Sequence, residues 1–461
     1  MFFEQITTPG LGCFSYAIGC PLEGTMAVFD PRRDIDIYLR LAEENEMRIT
    51  HIFESHVHAD HISGARELRA ATKADIYIHE SAQVGYEAKK LKDGDEFVLG
   101  YAAIRVLHTP GHTPNSVSFI VSDLARSPEP EMILTGDLLF VGDIGRPDLP
   151  GEEILDEQTE NLYNSLYNTL KPLPDYPEVY PAHGQGSLCG QGMSAKPYST
   201  LGYERLANPM LQYKDFADFK HDILAHLPVR PQSFSSIINA NLKGAAPRPN
   251  TETAEFALSA DMADKLIKAG ALPLDLRDAL SFGMAHIPGS INIDFSDGPV
   301  LNWVGVAVTP GVPLVLVLPS GQSFEEIYKE FQRIGYDDVK GWLDGGITAW
   351  SNSDLETQSL PHLSASELRA RLNGENPPAL IDVRRRDEFE HMRIEGSVNF
   401  PLDRIPENDS CPVDPESEAV VICLSGFRAG IAASLLQAQG CANISVLAGG
   451  VSQWPFGFIT G

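Results

Sequence analysis

The sequence predicts a multidomain α/β protein. Three observations lead there. Its 461 residues allow about two to four domains at roughly 100–200 residues each. Residues 1–205 alternate short β-branched runs with helical spacing, the pattern of a layered α/β domain. The last part of the chain contains an internal repeat, which argues for two copies of one smaller fold.

Taken in order, 26–29 reads as a strand ended by Asp30-Pro31, 35–44 as a helix and 49–53 as a second strand. Apolar runs at 132–134 and around Val179 read as further strands. A helix follows over 213–227. The segment 228–249 carries four prolines and little periodicity, so it reads as a connector draped over a surface. The repeat is anchored by Leu274-Asp275-Leu276-Arg277 against Ile381-Asp382-Val383-Arg384, and by Ile287-Pro288-Gly289-Ser290 against Ile394-Glu395-Gly396-Ser397, both offset by 107 positions. Gly345-Gly346 with Trp350 matches Gly449-Gly450 with Trp454. The expected domains are therefore 1–250, 253–355 and 360–461, with buried strands at 313–318 and 419–423. Asp275 and Arg277 are expected to form an ion pair belonging to the fold.

Composition restricts the function. The chain is 43% hydrophobic and 21% charged, as soluble globular proteins are. Its formal net charge of −28 repels phosphate backbones and acidic lipid headgroups, so nucleic acid and membrane surfaces are not expected partners. The first basic residue is Arg32, and the most apolar stretch, 304–318, is interrupted by Pro310 and Pro313. Neither a targeting segment nor a membrane span is expected, and the reading is cytoplasmic. Six cysteines in this length are too few for a disulfide scaffold, so all are expected as thiols, with Cys411 and Cys441 inert.

Ser55-His56-Val57-His58-Ala59-Asp60-His61 directly follows the strand at 49–53. A cluster at a strand's C-terminal end can converge on one point, because the chain there leaves the sheet and turns. His112 in Thr109-Pro110-Gly111-His112, Asp137 in Thr135-Gly136-Asp137 and His183 in Pro181-Ala182-His183-Gly184 also end apolar runs beside Gly or Pro. Seven metal ligands are thus available. The stretch from Ser122 to Pro130 reads as a polar insertion at the rim of this site.

These residues resemble the metallo-β-lactamase superfamily, whose HxHxDH signature is met by His56, His58, Asp60 and His61, with His112, Asp137 and His183 at its remaining ligand positions. The resemblance implies an αββα sandwich with a metal site along one edge. Two chemistries fit it. A dinuclear zinc site using all seven ligands would activate hydroxide for thioester hydrolysis, as in glyoxalase II. A mononuclear Fe(II) held by two His and one carboxylate would leave positions open for a sulfur substrate and O2. Gly145-Arg146-Pro147-Asp148 is similar to the Gly-Arg-x-Asp element of persulfide dioxygenases, which favours iron. That likeness implies His56, His112 and Asp137 as iron ligands, with His58, Asp60, His61 and His183 supporting them or holding a second metal. Arg146 is expected to pair with Asp148 or to bind substrate carboxylates, and Cys189 to contact a persulfide near the metal.

Cys423-Leu424-Ser425-Gly426-Phe427-Arg428 follows the strand 419–422 and precedes a helical pattern. A thiol there meets backbone N–H groups, a positive helix terminus and the Arg428 guanidinium, all of which stabilise an anionic sulfur. The loop resembles the CxxGxR active loop of rhodaneses, which implies Cys423 as the persulfide-carrying nucleophile, with Gly426 and Arg428 supporting substrate and sulfur. The corresponding loop of the middle copy, Leu318-Pro319-Ser320-Gly321-Gln322-Ser323, has neither cysteine nor arginine, so that copy is expected to be catalytically silent. The whole chain is similar to bacterial fusions of persulfide dioxygenase and rhodanese. That likeness implies thiol persulfides, O2, sulfite and thiosulfate as its small-molecule partners, and a homo-oligomer remains open.

Overall fold

The computed structural model describes residues 1–249, 256–296, 298–406 and 412–460. The chain divides into two compact units, 1–249 with 329–335, and 250–328 with 336–461.

The first unit is built on two six-stranded sheets. One contains β1 (Phe2–Thr8), β2 (Cys13–Cys20), β3 (Thr25–Phe29), β4 (Arg48–Phe53), β5 (Asp75–His79) and β6 (Lys89–Leu91) in that spatial order. The other contains β7 (Glu96–Leu99), β8 (Ala102–His108), β9 (Val117–Asp123), β10 (Met132–Gly136), β11 (Glu178–Pro181) and β12 (Ser199–Thr200). β3 to β6 run parallel, whereas β7 to β10 are antiparallel and β10 pairs parallel with β11. Alternation of side chains along each strand sends Phe29, Phe53, Val106, Phe119 and Leu134 into one core between the sheets. On the outer face of the first sheet, Val28 and Ile52 pack with Tyr38 of α1 (Asp36–Glu44) and Leu68 of α2 (Ala65–Thr72). Outside the second sheet, Ile133 and Val179 pack with Leu162 of α3 (Leu155–Asn164) and with Phe219 and Ile223 of α5 (Phe216–Ala225), α4 (Leu201–Ala207) lying between them in sequence. The αββα order is a metallo-β-lactamase fold.

Two sequence expectations fail here. The connector contains α6 (Ser233–Lys243), whose Phe234, Ile237 and Asn241 are buried; their i, i+3, i+7 spacing is helical, but flanking prolines hide it over so short a span. The stretch from Ser122 to Pro130 does not rim the site. Ser122 and Asp123 end β9, the rest joins β9 to β10, and β10 runs from there toward Asp137. The five residues of β10 span about 16 Å, which puts that loop at the opposite end of the sheet.

The second unit contains two five-stranded parallel sheets with the same strand order. The first has β13 (Ala257–Leu258), β14 (Leu272–Asp275), β15 (Ile291–Asn292), β16 (Leu314–Val317) and β17 (Val339–Leu343), in the order β13-β17-β16-β14-β15. The second has β18 (His362–Leu363), β19 (Ala379–Asp382), β21 (Ser397–Asn399), β22 (Ala419–Ile422) and β23 (Ile444–Leu447), in the order β18-β23-β22-β19-β21, and β20 (Met392–Arg393) pairs separately with β24 (Ile459–Thr460). Identical order and matched offsets are the structural form of the repeat. The Asp275–Arg277 and Asp382–Arg384 pairs close at 2.6 Å in equivalent places, with both aspartates buried. Buried Asp–Arg pairs of this kind orient the turn that follows the strand. One cysteine departs from expectation: Cys13, Cys20, Cys189 and Cys423 are free thiols, but Cys441 is disulfide-bonded. Cys411 lies outside the described residues.

Candidate metal centre and sulfur-transfer loop

All seven ligand-type residues leave the C-terminal ends of β4, β10 and β11 or the β8–β9 turn, so they gather at one edge of the sandwich. His56, His112, Asp137 and His183 are each about 1% exposed or less. His56 Nε2 lies 3.8 Å and His112 Nε2 3.2 Å from Asp137 Oδ2, and none of these three buried atoms makes a hydrogen bond. The far side of each residue is tied down. His56 Nδ1 lies 2.9 Å from Ser55 Oγ, His112 Nδ1 donates to the Arg146 carbonyl at 2.8 Å, and Asp137 Oδ1 accepts from His183 Nδ1 at 2.6 Å. An anchored outer nitrogen fixes the tautomer and leaves the inner lone pair facing the centre. Burial, then the neighbouring His58, pushes His56 well below the usual imidazole range, so it is held as a neutral donor. Leaving three buried polar atoms without partners costs several kcal/mol, about 1–3 for each, and a cation between them removes that cost. Two imidazoles and one carboxylate suit a divalent transition metal.

The other four residues are bonded differently. His183 Nε2 donates to Asp60 Oδ2 at 2.9 Å, and the Cys13 thiol donates to the same oxygen at 2.8 Å. Asp60 Oδ1 takes His61 Nδ1 at 3.2 Å. Burial opposes charge on His183, but Asp137 foremost, with Cys189, Cys13 and Asp60, holds it well above its ordinary value. His58 Nε2 faces Asp30 at 3.0 Å and Glu54 at 3.1 Å. Its Nδ1 has no partner, yet His58 clusters with Asp60 and His61, or with Asp30 and Glu54, rather than with the three residues above.

Arg146 is buried. Its Nε and Nη2 each donate to the Asp148 carboxylate at 2.7 Å, and Nη1 donates to the carbonyls of Leu188 and Val229 at 3.1 and 2.9 Å. It joins three loops, with four of its five N–H groups engaged, orients His112 through its own carbonyl, and makes the Asp148 pairing that the sequence offered. Gly145 makes the close approach possible, because a Cβ there would lie 1.9 Å from the Asp137 carbonyl oxygen. Cys189 is buried, within 4.8 Å of ligand atoms of Asp137 and His183, and burial raises its thiol to about 12. Sequence reasoning missed two contributors. Asn241 of α6 donates through Nδ2 to the carbonyls of His58 and His61 at 2.9 and 2.8 Å and accepts from Ser63 N–H at 3.0 Å. Cys13, from β2, reaches Asp60. The helical spacing of α6 was the available signal for the first; nothing in the sequence marks the second.

In the second unit, Cys423 is buried at the end of β22. Its sulfur accepts N–H groups from Gly426 at 3.1 Å and Ala429 at 3.3 Å, at the start of a helix over Phe427–Ala438. Gly426 has φ of +105°, which turns its N–H inward and favours glycine. The Arg428 guanidinium makes a two-pronged pair with Glu388, both bonds 2.7 Å, so its charge reaches the sulfur at a distance rather than by a hydrogen bond.

Comparison with known proteins agrees with this architecture. Residues 9–183 match the family model described as Metallo-beta-lactamase superfamily, and residues 259–353 and 364–455 match the Rhodanese-like domain. A crystal structure described as a metallo-β-lactamase from Staphylococcus aureus subsp. aureus COL is 31% identical, with a TM-score of 0.66, covering 74% of this chain and 98% of that one. The chain belongs to the metallo-β-lactamase superfamily. The relative named persulfide dioxygenase ETHE1, mitochondrial, from Bos taurus is 28% identical over 251 residues, 53% of this chain and 88% of that protein. Hydroxyacylglutathione hydrolase GloC from Haemophilus influenzae is 27% identical over 213 residues, 42% of this chain and 90% of that protein. With persulfide dioxygenases among its homologues and tandem rhodanese-like domains behind them, the chain has the organisation of a persulfide dioxygenase/rhodanese fusion. Among the described residues no helix is long and apolar enough to cross a membrane.

Proposed function

We propose that the first unit oxidises a low-molecular-weight thiol persulfide with O2 at a mononuclear Fe(II) centre held by His56, His112 and Asp137, and that Cys423 carries sulfane sulfur between small molecules. The observation that supports iron over a zinc pair is the division of hydrogen bonds. The three proposed ligands present partnerless atoms to one point, whereas Asp60, His61 and His183 are bonded to one another, to Cys13 and to Asp137. A second divalent ion would have to break that network and displace the His183 proton.

When bound, ferrous ion supplies the one-electron chemistry that dioxygen requires and keeps coordination positions open for the substrate sulfur. The chain's own residues do the rest. Ser55 and the Arg146 carbonyl hold the two imidazoles in register, and His183 keeps the Asp137 carboxylate from turning away. The overall balance is RSSH + O2 + H2O giving RSH + SO3²⁻ + 2H⁺, four electrons passing from the sulfane sulfur to oxygen. At the second site the Cys423 thiolate attacks the sulfane sulfur of a donor, the donor's S–S bond breaks, and its electron pair leaves on the remaining thiolate. The N–H groups of Gly426 and Ala429 stabilise the anionic sulfur through both steps.

The experiment is metal analysis with oxygen-electrode assays on a panel of persulfides. About one iron per chain and persulfide-dependent O2 uptake are expected. Two zincs per chain with thioester hydrolysis and no O2 uptake would establish the glyoxalase II-like alternative instead.

A further inference from the structure

The sulfur-transfer loop opens on a cavity of about 360 Å³ whose walls come from both rhodanese-like copies. Ser425, Gly426 and Phe427 form one side; Leu280, Asn292 and Asp294 of the cysteine-less copy form the other. Within this unit the copies are joined there by a bond from the Asn292 N–H to Ser434 Oγ at 3.0 Å and by an edge contact between Trp303 and Phe427 with ring centroids 6.0 Å apart. Among the described residues that line the cavity there is no lysine or arginine, and Asp294 is the one acidic side chain. His362, also in the lining, is driven toward its neutral form by burial. Arg428, the nearest cation in sequence, does not line the cavity and is matched by Glu388.

Cys423 is not itself among the lining residues, but Gly426, whose N–H its sulfur accepts, is; a donor that reaches Cys423 through this cavity would hold its other end against the walls that carry Phe427 and Asp294. We infer that Asp294 of the cysteine-less copy is a specificity-determining residue for Cys423, favouring persulfides whose carrier thiol bears an ammonium group and disfavouring dianionic donors such as thiosulfate. The inference rests on the sulfurtransferase reading above. The charge-assisted contact forms only with a cationic tail, and a sulfonate tail meets a like charge with no cation to offset it.

The test uses the full chain under anaerobic conditions, so that persulfide oxidation does not compete, with cyanide as common acceptor. In each turnover Cys423 thiolate takes the sulfane sulfur, and Cys423–S–S⁻ with CN⁻ returns Cys423–S⁻ and SCN⁻. Thiocyanate formation above a Cys423→Ser background gives kcat/KM for cysteine persulfide, N-acetylcysteine persulfide and thiosulfate. Asp294→Asn keeps the oxygen that accepts the Ser296 N–H at 3.0 Å. It is expected to lower kcat/KM for cysteine persulfide and raise that for thiosulfate, each about fivefold, as one partly solvated charge contact allows, with the N-acetyl donor, whose tail carries only a carboxylate, moving in the direction of thiosulfate. In the unaltered protein, added salt should move the same two values in the same directions. Equal changes for all three donors, or none, with no salt effect on their ratio, would overturn the inference. If the unaltered chain transfers sulfur from no donor, it is the sulfurtransferase reading that fails.

Discussion

Replacing Asn241 with leucine tests whether the helix of the connector holds the metal loop in place. Leucine matches asparagine in size but removes three hydrogen bonds, to the carbonyls of His58 and His61 and from the Ser63 N–H. Asn241 is only 8% exposed, so water does not readily replace them. At about 1 kcal/mol for each bond, the loop loses about 3 kcal/mol, which corresponds to about a 100-fold fall in protection against local opening. Hydrogen–deuterium exchange of peptides covering residues 55–64 reads this directly, and chelator competition reads the iron affinity, expected to fall tenfold or more as His56 loses its fixed position. Unchanged exchange together with unchanged iron affinity would refute the idea that α6 positions the loop.

Gly145→Ala is expected to bring the purified protein well below one iron per chain by metal analysis, because the new methyl collides with the Asp137 carbonyl 1.9 Å away. Cys423→Ser should keep persulfide-dependent O2 uptake within about twofold while abolishing thiocyanate formation; loss of both would tie the two sites together. His79, lowered to about 4 by burial and by the stacked His108, predicts acid sensitivity. Its folded value lies below the ordinary value of about 6.5, so the unfolded chain binds that proton more readily and stability falls as pH drops from about 6.5 to about 4. His79→Asn should flatten the urea midpoint over that window, and an unaltered slope would count against it.

Much of the fold was legible because its signals are local. The strand before the HxHxDH loop, the strand before Asp137 and the strand before Cys423 are β-branched runs closed by a turn, and the structure puts them at Arg48–Phe53, Met132–Gly136 and Ala419–Ile422. The repeat was legible because it needs only matched spacing. What escaped depends on chain direction or distant pairing. The stretch from Ser122 to Pro130 was placed near the site by its sequence neighbours, although two antiparallel strands carry it to the far end of the sheet. Asn241 hides in a proline-flanked segment, and the Cys13–Asp60 contact joins residues 47 positions apart. The division between partnerless and self-bonded ligands, on which the choice of metal rests, is invisible to motif spacing because all seven side chains fit one signature.

The cysteine-less copy keeps a parallel sheet of its own and one face of its sibling's cavity, and this splits its tolerance of change in two. Its loop from Leu318 to Ser323 guards no reactive atom, so substitutions at Ser320 and Gln322 should leave turnover unchanged in a deep mutational scan, whereas Gly321, at φ +80°, resists replacement for conformational reasons alone. Replacements between Ala279 and Asp294 should register as altered turnover in a neighbour whose sequence is untouched. An apparently retired duplicate would then show its usefulness along a single flank.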